Sequence, residues 1–142
     1  VLVGLTLKTK PEDIYLAMIE ATAFGTRVII EAYEENGLHI DELHACGGLV
    51  NNPLIMQTYS DVIGRPIKIA SSTQATALGA AILGAVAAGP DYGGYGSYAE
   101  AMKKMITPAK KTYKPINENL KIYNNIFNDY KLLHDFFGRG KL

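Results

Sequence analysis

A chain of 142 residues, 48% hydrophobic and 20% charged, is long and apolar enough for one domain with its own core, and the composition excludes a disordered chain. The formal charge is zero, yet residues 1 to 97 hold five basic and ten acidic side chains and residues 98 to 142 hold nine and four. The basic excess of the second part is spread out, with no aromatic stacking platform among the lysines, so it reads as a solvated helix face and not as a nucleic-acid surface.

A single cysteine, Cys46, excludes an internal disulfide framework and a multi-cysteine metal cluster and suits a reducing cytoplasm. No stretch has the length of a membrane span, and Val1 to Leu7 lacks the length and basic flank of a signal peptide.

In chain order, Val1 to Leu7 has the composition of a short strand. Pro11 then suits the first turn of a helix running to about Asn36, ended by Gly37, with Ile14, Ala17, Ala21, Phe24, Val28 and Ala32 as its core stripe. Glu42 to Cys46 reads as a brief strand that enters the turn Gly47-Gly48. A second helix is expected from Pro53 to Ile63, closed by Gly64, and a strand from Pro66 to Ala70.

Residues 75 to 88 are almost entirely small or apolar, which predicts a helix with little polar face and hence a buried one. Residues 91 to 97, with their glycines and tyrosines, read as a flexible loop. A short helix from Tyr98 to Met105 and an extended piece around Thr112 to Pro115 lead to a last helix, roughly Asn117 to Phe137, with Leu120, Tyr123, Phe127, Tyr130 and Phe137 on its apolar face.

The alternation of helix and strand argues for an α/β layer with parallel strands joined by crossover helices. Two clear strands and one doubtful one make a sheet too small to cover several apolar helices, and the first residue is Val1, not methionine. The expectation is therefore a C-terminal piece of a longer protein with an incomplete sheet, whose uncovered apolar surface favours self-association.

The turn Gly47-Gly48 lets the backbone take positive φ and lets a ligand approach without a Cβ in the way. The amides beyond it, and the helix N-terminus at Pro53, offer donors suited to phosphate. Alone such a turn is a weak signal. Its company is more specific: Gly47-Gly48 and Asn52, then Met56-Gln57, Asp61, Gly64, Pro66-Ile67 and Thr76-Ala77-Leu78-Gly79-Ala80-Ala81, in that order.

This ordered set resembles the C-terminal signature of the FGGY carbohydrate kinases, sugar kinases of the actin, hexokinase and Hsp70 superfamily. Glu20 to Arg27, Gly84 to Gly89 and the final helix, rich in lysine and tyrosine, resemble the branch of that family that phosphorylates L-ribulose, so the resemblance spans essentially the whole chain. It implies the C-terminal half of an actin-like, ribonuclease H-like ATPase fold, with residues 1–142 belonging to the second actin-like domain and ATP in the cleft between two domains.

It further implies that backbone at Gly47, Gly48 and Leu49 approaches the α-phosphate and adenosine, and that Asn52 contacts the base or ribose. Asn52 suits equally the N-cap of the helix at Pro53, and both roles can be filled at different atoms. The implied reaction is transfer of the γ-phosphoryl group of MgATP to a ketopentose hydroxyl, that of L-ribulose. The resemblance also implies that the catalytic aspartate, the first phosphate loop and most sugar contacts lie upstream of the matched region, in a partner N-terminal domain, and that Mg2+ is held mainly by the nucleotide and by residues outside this chain. No catalytic or metal-binding residue is therefore assigned within this chain, and the chain alone should be inactive.

Departures from the family pattern are Gln74 and Cys46, where acidic residues are common. Cys46 reads as a small buried hydrophobe, and the helix 76 to 81 as one packed closely through Gly79 and Ala80. His39, His44 and His134 show no metal-ligand spacing. Glu20 and Arg27, two turns apart on one face, suit a network within the protein. Three other readings remain at this point: a xylulose- or ribitol-type kinase, a non-catalytic nucleotide-binding module, and a purely structural α/β domain.

Overall fold

The computed structural model describes residues 1–140. Helix α1 spans Pro11–Glu35. Proline occupies its first position, where the missing N–H costs nothing, and Asp13 Oδ2 accepts from the Lys10 amide at 2.9 Å. Asn36 caps its C-terminus, and Gly37 follows at φ 82°. Strand β1 (Leu43–Ala45) leads through a 3-10 turn at Gly48–Asn51 into α2 (Pro53–Ile63), which Gly64 ends in the left-handed conformation. Strand β2 (Ile67–Ile69), α3 (Ala75–Ala88), α4 (Tyr98–Met105), β3 (Lys111–Tyr113) and α5 (Asn117–Arg139) follow.

The sheet has the order β1-β2-β3, with β1 and β2 parallel across the α2 crossover and β3 antiparallel to β2. Parallel pairing thus holds for the first pair, and the extended piece near Thr112 joins as a reversed edge strand. Ile67, Ile69 and Tyr113 point to the face covered by α1 and α2, where they form a core with Ile30, Ile55, Met56 and Ile63. A second cluster, Ala23, Phe24, Val62 and Phe127, locks α5 onto α1 and α2. Tyr123 and Tyr130 surround it, with the Tyr130 ring centroid 5.2 Å from that of Phe24.

Polar side chains stitch the same three helices. Asp61, 2% exposed, accepts from Gln57 Nε2 at 2.8 Å, the Ile116 amide at 2.7 Å and Asn119 Nδ2 at 2.8 Å. Arg27 donates to the Val62 carbonyl and to Asn124 Oδ1, and its guanidinium carbon lies 4.1 Å from the Phe127 ring centroid. Glu20 accepts instead from Tyr123 Oη at 2.7 Å. Arg27 and Glu20 therefore work in separate contacts to α5, not in one shared network. Desolvation, with the Glu20 carboxylate beside it, pushes the Tyr123 phenol pKa up.

Several expectations are corrected. Val1 to Leu7 forms no strand and is exposed, because no strand among the described residues pairs with it. On α1 the buried residues are Ala23, Phe24 and Ile30, whereas Ala17, Ala21 and Ala32 are exposed. The reason is that α1 meets α2 and α5 on adjoining faces, so its buried face is not the straight stripe starting at Ile14.

Phe137 is exposed on α5. Helix α3 buries only Ile82 of its own residues, and neither Gly79 nor Ala80 is packed closely. A Cβ at Gly79 would meet no atom within 4 Å. Its apolar composition stands, but the surface to cover it is not among the described residues. Residues 91–97 begin within the 3-10 turn Pro90–Tyr92, and further on Gly94 N donates to the Gly89 carbonyl and Tyr95 N to the Ala85 carbonyl. At Gly94 a side chain is excluded, since a Cβ would overlap the Ala85 carbonyl.

Candidate nucleotide site

Because β1 and β2 are parallel and in register from Leu43↔Ile67 to Ala45↔Ile69, their carboxyl ends lie side by side. The Ala70 amide donates to the Ala45 carbonyl at 3.0 Å and holds the two exits together. Ligands of α/β sheets bind outside this end of the strands, where loops diverge toward the helices that follow. Here the diverging loops are Cys46 to Asn52 and Ala70 to Gln74.

Gly47 takes φ 95° and ψ −169°, a conformation essentially restricted to glycine. Gly48, by contrast, opens the 3-10 turn without positive φ, so one glycine and not both supplies the unusual backbone. A Cβ at either position would meet no atom within 4 Å; the space over the turn is open to a ligand. Leu49 is 57% exposed. Asn52 caps α2, its Oδ1 accepting from Leu54 N at 3.0 Å and Ile55 N at 3.4 Å, while its Nδ2 makes no hydrogen bond among the described residues.

Beside the turn lies an open groove of about 380 Å³. Gly47 and Gly48 form one wall, Ser72 and Thr73 another, and Lys110 and Lys111 a third, over Ile69 and Tyr113. Leu49 and Asn52 stand outside this wall. No acidic side chain lines the groove, so its field is positive. The hydroxyls and lysines were not read from the sequence as site residues. The available signals were the polar Ser71-Ser72-Thr73 break between strand and helix and the Lys110-Lys111 pair beside a short extended segment.

A second groove, about 660 Å³ and mainly apolar, shares Ala70 and Ser72 with the first and separates α3 from the opposite face of the sheet. That face presents His44, Lys68 and Thr112 in register. Glu42 accepts from Lys68 Nζ at 2.5 Å, and His44 Nε2 lies 3.1 Å from its other oxygen. These two partners, the Lys68 hydrogen bond first, hold the Glu42 carboxyl below the usual range. Cys46 is exposed rather than buried, since it lies just past the last paired residue of β1. Among the described residues no group of three or more His, Cys, Asp or Glu side chains could hold a metal ion. No helix among them is long and apolar enough to cross a membrane.

Residues 1–88 match the FGGY family of carbohydrate kinases, C-terminal domain. The chain belongs to this family. A ribulokinase of Geobacillus thermodenitrificans is 55% identical over 141 residues, covering 99% of this chain and 25% of that protein. A ribulokinase of Mycolicibacterium smegmatis is 47% identical over 140 residues, 99% of this chain and 24% of that protein. The chain thus spans about a quarter of the length of the curated relatives it matches.

Among solved structures, a xylulose kinase from Rhodospirillum rubrum superposes with a TM-score of 0.78 at 20% identity, over 94% of this chain and 26% of that one. A Plasmodium falciparum glycerol kinase solved with ADP gives 0.66 at 22%, over 89% and 25%. These likenesses show that the chain shares the α/β fold of a part of those sugar kinases, here with a small open sheet.

Proposed function

We propose that this chain is the C-terminal, nucleotide-holding part of an ATP-dependent sugar kinase whose substrate is a ketopentose, L-ribulose, in arabinose breakdown in the cytoplasm. One observation carries the reading: 55% identity along 99% of the chain to a protein named ribulokinase, a degree of likeness that the sugar kinases of other specificity compared above do not approach.

The site is consistent with that role. Gly47 and Gly48 leave the turn open to close approach, the free Asn52 Nδ2 offers a donor toward base or ribose, and the groove carries cationic and hydroxyl groups without a carboxylate. MgATP supplies the phosphoryl group when bound. The residues of this chain bind and orient it; the proton acceptor for the sugar hydroxyl and the groups around Mg2+ belong to a partner domain. The uncovered apolar side chains of α3 and α4, such as Leu83 and Met102, would rest against that domain or drive self-association.

The test is a coupled kinase assay with MgATP and L-ribulose, D-xylulose or ribitol. The 142-residue chain should give no turnover, and the longer protein carrying it should prefer L-ribulose. Turnover by the chain alone would overturn the placement of the proton acceptor, and a preference for D-xylulose would move the protein to the sister activity.

A further inference from the structure

The pair Lys110-Lys111 is not explained by packing. In the β2–β3 register Lys111 stands opposite Ile69, on the sheet face that otherwise carries Ile67, Ile69 and Tyr113. A lysine in that row is not what an apolar core asks for. Its Nζ lies 4.3 Å from the Tyr113 ring centroid, so the stem crosses the aromatic ring and the charge stays at the groove. The Lys110 amide donates to the Ile69 carbonyl at 3.0 Å, which fixes the pair at the same end of the sheet as the glycine turn. Among the described residues neither ammonium is paired with a carboxylate, and both line the groove with Gly47, Gly48, Ser72 and Thr73.

We propose that Lys110 and Lys111 bind the phosphate chain of the nucleotide, across the groove from the Gly47-Gly48 turn, with Ser72 and Thr73 as hydroxyl donors. The inference rests on the nucleotide reading above and adds to it residues contributed by the C-terminal edge strand. Two ammonium groups facing a polyphosphate make charge-assisted hydrogen bonds, whereas adenosine offers them nothing. The lysines therefore discriminate between nucleotide and nucleoside, while the glycine turn serves both.

The experiment titrates ATP, inorganic triphosphate and adenosine into the 15N-labelled chain and follows the Gly47 and Gly48 amides. With the original sequence, ATP and triphosphate should shift them. In Lys110→Gln/Lys111→Gln, ATP and triphosphate affinity should each fall about tenfold or more while adenosine affinity is unchanged. Lys111→Arg keeps both the charge and the ring contact and should retain most of the ATP affinity. A fall that affects adenosine equally would mean that the pair acts only by supporting the fold. If ATP shifts the glycines but the double variant binds it as well as the original, the lysine assignment fails and the nucleotide reading stands. If no probe shifts Gly47 or Gly48, both fail.

Discussion

Replacing Asp61 tests whether α2, the helix that starts at the glycine turn, is held in place from its far end. Its carboxylate is 2% exposed and accepts three hydrogen bonds, two at Oδ1 from Gln57 Nε2 and the Ile116 amide and one at Oδ2 from Asn119 Nδ2. Two of these donors belong to the start of α5, including its N-cap amide. Asp61→Ala removes all three bonds. It orphans the Ile116 N–H and the Asn119 amide, whereas Gln57 Nε2 keeps the Lys114 carbonyl at 2.8 Å.

Two donors left without a partner cost about 1–3 kcal/mol each, less what water recovers, so a loss of about 3 kcal/mol is expected. Asp61→Asn behaves differently. Its Oδ1 can keep Gln57 and Ile116, and the Asn119 amide can turn over to accept from the new Nδ2, so only charge assistance is lost, about 1–1.5 kcal/mol. Urea unfolding followed by far-UV circular dichroism measures both, and the alanine variant should also melt about 10 °C lower. Asp61→Ala within 1 kcal/mol of the original, or Asp61→Asn as damaging as alanine, would refute the reasoning.

Two further outcomes follow from the geometry. At Asn52, aspartate keeps the cap oxygen but deletes the Nδ2 donor, so Asn52→Asp should retain stability within a few tenths of a kcal/mol while weakening adenosine binding; Asn52→Ala should lose about 1 kcal/mol of stability as well. Calorimetric titration and urea melts separate the two effects.

At Glu34, the hydrogen bond that Arg65 Nη2 donates to Oε2 at 2.7 Å holds the carboxyl below its usual range. A depressed carboxylate contributes stability that is complete above its unfolded-state pKa and lost as pH falls through the folded-state one. Arg65→Met should therefore be less stable than the original at neutral pH, with the gap closing below about pH 4. A gap independent of pH would show that Arg65 acts through its bond to the Ile40 carbonyl instead.

What could be read from residues alone divides by how local its cause is. The bounds of α2 were legible because Asn52-Pro53 and Gly64 punctuate both ends, and those of α3 because Gly89-Pro90 stops it. Burial was less legible. The α3 sequence announces an apolar helix but not what covers it, so a helix expected to be buried shows Leu83 at 56% exposed. Arg27 reads from its spacing as a partner for Glu20 on the same helix, yet its guanidinium packs on Phe127, one hundred residues further along. Such a pairing is fixed by how α5 docks, which periodicity within α1 does not encode.

The site divides in the same way. Gly47 was legible because its φ of 95° requires glycine, a constraint written in one residue. The hydroxyls at Ser72 and Thr73 join it only because β1 and β2 are parallel, and the lysines only because β3 returns antiparallel beside β2. A three-residue strand gives almost no alternation to read, so the register that brings Lys111 opposite Ile69 is set by tertiary packing. The sequence motif therefore marks the half of the groove that a conformational constraint creates, and strand pairing supplies the half that carries the charge.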